Sequence, residues 1–289
     1  MCGKEIYRET NALLNGLLSE KKPVIAVHRS GWGGNVPPSS LLAIRTGLML
    51  GGDMMELDVA LDRDGRLWVF HDGNEMQSFR EKRNIREIPS REVEALDFVN
   101  PIGERSGKHL SSFDDLLDAI GNDVIFNVDR CWGKLPEIDR VMMRHPEKIR
   151  QALMKTHAED DSLEFFSTCP RKYMYMGVVS SMEEVRKVLS YGDAINLVGF
   201  ELISENEDSD LFQDENIKLI HDAGLFTWAN AISLGSAPRF RIFAGLDDDL
   251  ALSRGPDASW GIMMDKEMDV IQTDWPSILR DYRDGRKND

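Results

Sequence analysis

Residues 54–72 read MMELDVALDRDGRLWVFHD and contain two short apolar runs separated by a polar turn. Met54–Val59 and Leu67–His71 are predicted β-strands, and Asp62-Arg63-Asp64-Gly65 between them has the composition of a tight turn. Successive side chains of a strand point to opposite faces, so Glu56 and Asp58 lie on the same face. The stretch therefore predicts a buried strand with two adjacent carboxylates, followed by a strand that ends in His71.

The rest of the chain repeats this alternation of buried strand and amphipathic helix. Each predicted strand is a continuous apolar run, as expected for parallel strands that are covered on both faces. The eight predicted strands are Val24–His28, Met54–Val59, Leu67–His71, Val124–Asp129, Tyr173–Val179, Ala194–Leu202, Phe226–Ala231 and Val270–Thr273. Eight strands and 289 residues predict a single (β/α)8 TIM barrel over residues 1–289. A small polar insertion, at about 73–110, follows the third strand and is interpreted as a cap over the site.

The composition excludes several functional classes. The formal net charge of -15 and the pI of about 4.9 disfavour binding to nucleic acid or to an anionic membrane. A phosphate substrate would need cations placed locally in the site. An apolar run of about 18 residues is absent, so stable membrane insertion is not expected. Three widely spaced Cys residues favour a reducing compartment and a cytoplasmic location, although a trimmed lipoprotein or secreted form stays open, as does the oligomeric state.

Polar residues at strand ends are the candidates for chemistry, because barrel active sites lie at the carboxyl ends of the strands. Glu56 and Asp58 would repel each other unless a hard cation bound between them, and oxygen ligands favour Mg²⁺ or Ca²⁺. The alternative is that both carboxylates pair with Lys or Arg. His28 and His71 could act as general base and general acid, or be structural strand-end histidines. Arg29 could bind a phosphate oxygen pair, or form a salt bridge.

These residues, in this order, resemble the glycerophosphodiester phosphodiesterase family. The similar segments are Val27-His28-Arg29, Pro37–Leu41, Met55–Val59, Asp64-Gly65, Val69–Asp72, Trp228–Asn230 and Asp269–Pro276. The resemblance implies a TIM barrel that hydrolyses a glycerophosphodiester to glycerol 3-phosphate and an alcohol. It implies that His28 and His71 are catalytic, that Arg29 binds phosphate, and that Glu56, Asp58 and Asp129 bind a divalent metal ion, either Mg²⁺ or Ca²⁺.

Three departures from the family pattern concern the substrate. The Gly of the family's His-Arg-Gly is Ser30, the third carboxylate is Asp129 where the family has Glu, and Cys131 takes the position of a Lys. One positive charge is therefore expected to be absent or supplied from elsewhere, and Lys134 is a candidate. Trp132, Lys134, Glu201 and Trp228 are further candidates for the pocket. Two alternatives stay open: cleavage of a different phosphodiester through a cyclic phosphate, and a catalytically weakened phosphodiester-binding protein.

Overall fold

Eight parallel strands close into a barrel in the computed structural model, which describes residues 2–31, 33–235, 237 and 241–286. The strands in chain order are β1 (Val24–Val27), β2 (Met54–Leu61), β3 (Leu67–Val69), β4 (Asp97–Val99), β5 (Arg105–His109), β6 (Phe126–Asp129), β7 (Ala152–His157), β8 (Met174–Val179), β9 (Leu197–Leu202), β10 (Phe226–Asn230) and β11 (Val270–Thr273). The barrel runs β1-β2-β6-β7-β8-β9-β10-β11, and β1 closes it by pairing with both β2 and β11. The predicted (β/α)8 TIM barrel is confirmed.

Most of the described helices follow a barrel strand and cover the outside of the barrel. They are α1 (Ala12–Glu20), α2 (Leu41–Met49), α3 (Glu75–Phe79), α4 (Ser90–Val93), α5 (Phe113–Ala119), α6 (Leu135–Met142), α7 (Asp160–Thr168), α8 (Met182–Leu189), α9 (Asp214–Asp222), α10 (Asp248–Arg254), α11 (Trp260–Asp265) and α12 (Pro276–Arg286). The side chains of Ser40, Ser112 and Ser181 cap α2, α5 and α8 by accepting a backbone N–H of the first turn. None of the described helices combines the length and apolar character that crossing a membrane would require.

One of the eight predicted barrel strands is wrong, and one barrel strand was not predicted. β3 pairs antiparallel with β2, with Val59 opposite Val69, so it extends a hairpin and does not enter the barrel wall. The missing strand is β7, which pairs in parallel with β6 and β8. Its sequence, ALMKTH, has three apolar residues and becomes polar from Lys155 onward, so it gave only a short apolar run.

The barrel has an apolar outer layer and a divided interior. The outer layer fills the space between strands and helices, and it contains alternate strand residues such as Leu57, Val128 and Ile271. The other strand residues point inward, where the lower part is apolar and includes Met54, Leu153 and Trp228. Further along the same strands the inward positions become polar. Because side chains alternate between the two faces of a strand, every second residue points inward. These inward residues form a packed apolar base and, above it, a polar upper layer.

The insertion after β3 is a small unit with its own packing. It contains α3, α4 and the antiparallel hairpin of β4 and β5. The rings of Phe79 and Phe98 pack at a tilt of 47° with their centroids 4.6 Å apart, and they form a separate apolar cluster with Trp68 and Phe70 of the hairpin end. This cluster fixes the insertion beside the carboxyl end of β2.

Candidate active site

Three carboxylates meet in the upper layer of the barrel. Glu56 and Asp58 lie on β2, and Asp129 ends β6, where it is the register partner of Asp58. One oxygen from each of the three carboxylates lies within 4.8 Å of the others. Glu56 and Asp58 are 1% and 2% exposed, so their charges are largely removed from water. The predicted convergence of the three carboxylates on one site is present in the geometry.

Burial and mutual repulsion shift the pKa values of this acidic trio. Burial and the charges of Asp58 and Asp129 raise the pKa of Glu56 well above its usual value. Burial, followed by the charge of Asp129, also raises the pKa of Asp58. For Asp129 burial acts in the same direction, but the adjacent Lys155 ammonium outweighs it and the pKa is lowered. The trio therefore has too little positive charge of its own to keep all three groups ionised.

Lys155, on the unpredicted strand β7, is the cation of the upper layer. Its side chain is 4% exposed, and Nζ lies 2.8 Å from Asp129 Oδ2 and 3.0 Å from Glu201 Oε2. Burial alone would lower the pKa of Lys155, but the charges of Asp129 and Glu201 raise it above its usual range. Lys155 thus supplies the positive charge that the sequence comparison at Cys131 left missing. It could have been found as a polar residue two positions before a strand end, had β7 been recognised.

His28 directly follows β1 and is held by a carboxylate from the other side of the barrel closure. Its Nδ1 lies 2.8 Å from Oδ1 of Asp274, the residue after β11. A proton on Nδ1 donates to Asp274 and leaves Nε2 directed elsewhere as the reactive nitrogen. The sequence placed Asp274 at a strand end, but it gave no sign that Asp274 pairs with His28.

The backbone after His28 turns sharply to position Arg29. Arg29 and Ser30 both have positive φ angles, of 49° and 60°. The Arg29 N–H donates to Glu56 Oε2 at 2.6 Å, and the Ser30 hydroxyl donates to the Glu56 carbonyl at 2.9 Å. These two bonds hold a conformation that side-chain-bearing residues rarely adopt, which explains how Ser30 replaces glycine here. Arg29 Nε lies 3.5 Å from Asp58 Oδ2. This geometry is compatible with both hypotheses for Arg29, that it forms a salt bridge and that it binds a phosphate.

His71 lies beyond the hairpin among cations. Its Nε2 is 3.5 Å from Nη1 of Arg130, and its Nδ1 is 3.0 Å from the Asp72 carbonyl oxygen. With its carboxamide oxygen turned inward, Asn74 accepts from Arg29 Nη1 at 3.1 Å and from His71 Nδ1 at 3.2 Å. Burial lowers the pKa of His71, and the charges of Arg29 and Arg130 add to this effect against the opposing charge of Asp58. The site therefore holds one histidine paired with a carboxylate and one flanked by arginines.

Arg130 lies next to His71 at the rim of the site. The strand ends at Asp129, and Arg130 takes a left-handed conformation with φ of 58°. Its guanidinium donates to Asp72 Oδ1 at 2.8 Å and so stays on the side of His71. Burial alone would raise the pKa of Asp72, but the charges of Arg130 and Arg86 outweigh this effect and lower it. If the strand continued through Arg130, its side chain would point to the face opposite Asp129. Because the strand ends at Asp129, the Arg130 guanidinium lies at the rim of the site.

The remaining candidate residues have different surroundings. Trp132 is half-buried, with its ring centroid 5.0 Å from that of His157 at the end of β7. Lys134 is buried and donates from Nζ to the Arg130 carbonyl at 2.7 Å. Trp228 has no exposed surface and belongs to the apolar base, with Nε1 donating to Asn230. Glu201 reaches the upper layer, where it accepts from Asn230 and pairs with Lys155. Of these four, Glu201 is the residue that the structure joins to the acidic trio.

The trio suits a hard divalent cation. Asp58 Oδ2 is buried and accepts no hydrogen bond from the described residues, although Arg29 Nε is 3.5 Å away. The donor set is made only of carboxylate oxygens, which Mg²⁺ and Ca²⁺ prefer over softer ligands. An ion at this position would satisfy the unpartnered oxygen and offset the repulsion that raises the pKa values of Glu56 and Asp58.

Family models match two overlapping parts of the chain. Residues 28–198, more than half of the chain, match the glycerophosphoryl diester phosphodiesterase family, and residues 173–283 match a domain of unknown function. A glycerophosphodiester phosphodiesterase of Caldanaerobacter subterraneus is 29% identical over 110 residues, which are 37% of this chain and 45% of that protein. One from Bacillus altitudinis is 26% identical over 140 residues, 47% of this chain and 54% of that protein. The matches thus span about half the length of these relatives.

Solved structures share the fold over nearly the whole chain. A glycerophosphoryl diester phosphodiesterase from Parabacteroides distasonis has a TM-score of 0.74 at 15% identity, covering 94% of this chain and 92% of that chain. A phosphodiesterase from Oleispira antarctica, solved with its product sn-glycerol-3-phosphate, has a TM-score of 0.66 at 18% identity, covering 93% and 99%. At such low identity the likeness bears on the fold. Together with the match over residues 28–198, it shows that the chain belongs to the glycerophosphoryl diester phosphodiesterase family.

Proposed function

We propose that this protein is a metal-dependent phosphodiesterase that hydrolyses glycerophosphodiesters to glycerol 3-phosphate and an alcohol. The observation that carries the proposal is the acidic trio of Glu56, Asp58 and Asp129, beside which lie two histidines and Arg29. A largely buried site with three carboxylates and a phosphate-binding cation matches the needs of phosphodiester cleavage. The named relatives and the Oleispira phosphodiesterase with its bound product support the choice of substrate class.

The trio would hold a divalent ion, Mg²⁺ or Ca²⁺, and the bound ion would supply positive charge beside the phosphate oxygens. Arg29 binds a further phosphate oxygen through its guanidinium, which Asn74 orients. Lys155 keeps Asp129 ionised, and Glu201 fixes the ammonium in place from its other side. Lys155 and Glu201 are positioning residues in this scheme.

The two histidines divide the proton transfers. The Asp274 carboxylate accepts a hydrogen bond from Nδ1 of His28 and fixes the orientation of the ring, so Nε2 of His28 takes the proton from the attacking oxygen. Burial and the charges of Arg29 and Arg130 lower the pKa of His71, so protonated His71 gives its proton readily to the leaving alkoxide. The attacking oxygen belongs to water in this proposal.

The test uses glycerol 3-phosphate release from glycerophosphoethanolamine, with Mg²⁺, with Ca²⁺ and with EDTA. His28→Ala and His71→Ala should each lower kcat by at least about 10²-fold, since general acid–base groups contribute about 10²–10⁴. His109→Ala, on the exposed hairpin of the insertion, is the matched control and should keep full activity. Full activity of both site variants, or full activity in EDTA, would refute the scheme.

A second substrate separates the roles of the two histidines. A glycerophosphodiester of 4-nitrophenol has a leaving group that needs no proton. His71→Ala should therefore recover most of its activity on this substrate, whereas His28→Ala should stay impaired on both substrates. Equal impairment of the two variants on both substrates would contradict the assignment.

The alternative with a neighbouring hydroxyl as attacking group gives a cyclic phosphate first, and phosphorus NMR during turnover would detect it. A binding protein without turnover is the other alternative, and it rests on the absence of a lysine at position 131. Lys155 beside Asp129 provides a cation at the trio, so we favour turnover.

We further propose that the chain is a single domain in which the segment at about 73–110 caps the site. Two contacts support the cap: Asn74 reaches Arg29 and His71, and Arg86 pairs with Asp72. Protease digestion with and without a phosphodiester would test it, because a cap that binds substrate should be cleaved more slowly when substrate is present.

A further inference from the structure

A groove of about 580 Å³ runs from the candidate active site between the first βα loop and the insertion. Arg29 and Asn74 form its inner end, and both belong to the group of side chains around His71. Residues 33–38 form one wall, and residues of the insertion form the other. A hydrogen bond of 2.9 Å from Asn100 to Asn35 joins the two walls. The groove is therefore continuous with the position proposed for the phosphate.

The lining of this groove contrasts with the charge of the chain. Acidic residues are 50 of 289 in the sequence, yet none of the described residues that line the groove is acidic. Its charged lining residues, within the described chain, are Arg29 and Arg80. The other lining residues are apolar or carry hydroxyl and amide groups, among them Val36, Pro37, Met76, Gln77, Phe98 and Ser106. A groove of this kind suits a hydroxyl-rich, uncharged group and offers a cation no counter-charge.

Arg80 is part of the groove wall, and a hydrogen bond to the backbone fixes its guanidinium there. It ends α3 in a left-handed conformation, with φ of 58°, and donates from Nη2 to the Gly103 carbonyl. A Cβ at position 103 would lie 2.7 Å from Arg80 Nη2, so glycine leaves room for the guanidinium there. Within the described residues, no carboxylate lies within 4.0 Å of the Arg80 guanidinium. Its positive charge is thus available to whatever occupies the groove.

We infer that this groove binds the leaving alcohol of the diester and selects uncharged polyol headgroups over cationic ones such as choline. The inference rests on the proposed function and specifies its substrate. The inner end fits this assignment because Asn74 contacts His71, the residue proposed to protonate the leaving oxygen. The groove also has far more room than a three-carbon glycerol needs. This favours the leaving alcohol, where it is a large polyol such as inositol, over the glycerol part of the diester as the occupant.

The test compares kcat/KM for glycerophosphoinositol and glycerophosphocholine, since both release glycerol 3-phosphate and share one assay. Repulsion of a cationic headgroup by Arg29 and Arg80 at several ångströms predicts a preference of at least about tenfold for the inositol diester. Arg80→Glu should lower this ratio at least about fivefold by adding a negative charge to the wall. Arg91→Glu makes the same charge change on α4 of the insertion, outside the groove lining, and should leave the ratio within about twofold.

The outcomes separate the inference from the function on which it rests. If wild-type protein cleaves the choline diester as well as the inositol diester, the inference is wrong and the phosphodiesterase function stands. If Arg80→Glu and Arg91→Glu give the same ratio as wild type, the groove assignment is wrong. If neither diester is cleaved with any metal, the proposed function fails first. Should Arg80→Glu fold poorly by circular dichroism, Arg80→Gln keeps a donor to Gly103 and should lower the ratio by a smaller factor.

Discussion

Replacing Lys155 by Met should destabilise the protein strongly, because it removes the charge and keeps most of the side-chain volume. Coulomb's law with an effective dielectric constant of about 20 gives about 6 kcal/mol for each of the contacts at 2.8 and 3.0 Å. The loss of hydration of a buried ammonium offsets much of this sum. Removing one partner of a buried ion pair costs about 3–5 kcal/mol, since the other charge is left uncompensated. We expect a loss of that size in the free energy of unfolding.

Urea unfolding in EDTA, followed by circular dichroism, measures this loss. The double variant Lys155→Met/Glu201→Gln should recover about 1–2 kcal/mol, because it removes one of the two stranded carboxylates. Lys82→Met, an exposed lysine of the insertion, is the matched control and should change the free energy of unfolding by less than about 0.5 kcal/mol. A loss of less than about 1 kcal/mol for Lys155→Met, or no recovery in the double variant, would refute the reasoning from buried charge.

Three further predictions concern the acidic trio, the pair of His221 with Asp269, and the buried Cys131. Mg²⁺ or Ca²⁺ at about 100 times its Kd should stabilise the protein by about 2.7 kcal/mol in thermal unfolding, and Asp58→Asn should abolish most of that shift without lowering the metal-free Tm. The hydrogen bond to Asp269 raises the pKa of His221, so its stabilising contribution is complete below the unfolded-state pKa of about 6.5 and is lost as the pH rises through the higher folded-state pKa. His221→Gln should therefore cost more stability at pH 5.5 than at pH 8.5, and a cost that does not vary with pH would contradict this. Burial raises the pKa of Cys131 to about 12, so iodoacetamide should modify Cys131 in urea but not in the folded protein, as judged by mass spectrometry.

The barrel could be predicted because most of its strands carry a local signature. β2 and β8 are buried on both faces, and their sequences, MMELDVAL and MYMGVV, are mainly apolar. β7 lacks that signature, because its second half, Lys155-Thr156-His157, is polar. β3 has the signature and lies outside the barrel wall, because its apolar residues face the outer core and the insertion. The same apolar pattern thus fits two kinds of strand, and pairing direction decides between them.

The candidate site was predictable where its residues are neighbours in the sequence. Glu56 and Asp58 share a face by alternation, and His28, His71 and Asp129 follow from strand ends. The contacts that complete the site join distant positions: His28 with Asp274, Asp129 with Lys155, and Asn74 with Arg29. These pairs depend on closure of the barrel and on the path of the insertion, and a single sequence contains no local sign of either.

The exchange of lysine for Cys131 illustrates why a motif position and a place in space must be kept apart. Cys131 follows the end of β6, and the left-handed Arg130 turns the chain so that the thiol donates to the Val128 carbonyl in the outer core. A lysine in this backbone at position 131 would have its stem in that apolar layer, away from Asp129. Lys155 reaches Asp129 because β7 is the neighbour of β6 and because inward residues of adjacent parallel strands lie side by side. The acidic trio needs a cation within ion-pair distance. A lysine on the neighbouring strand β7 meets that requirement, so the cation does not have to come from β6, which carries Asp129.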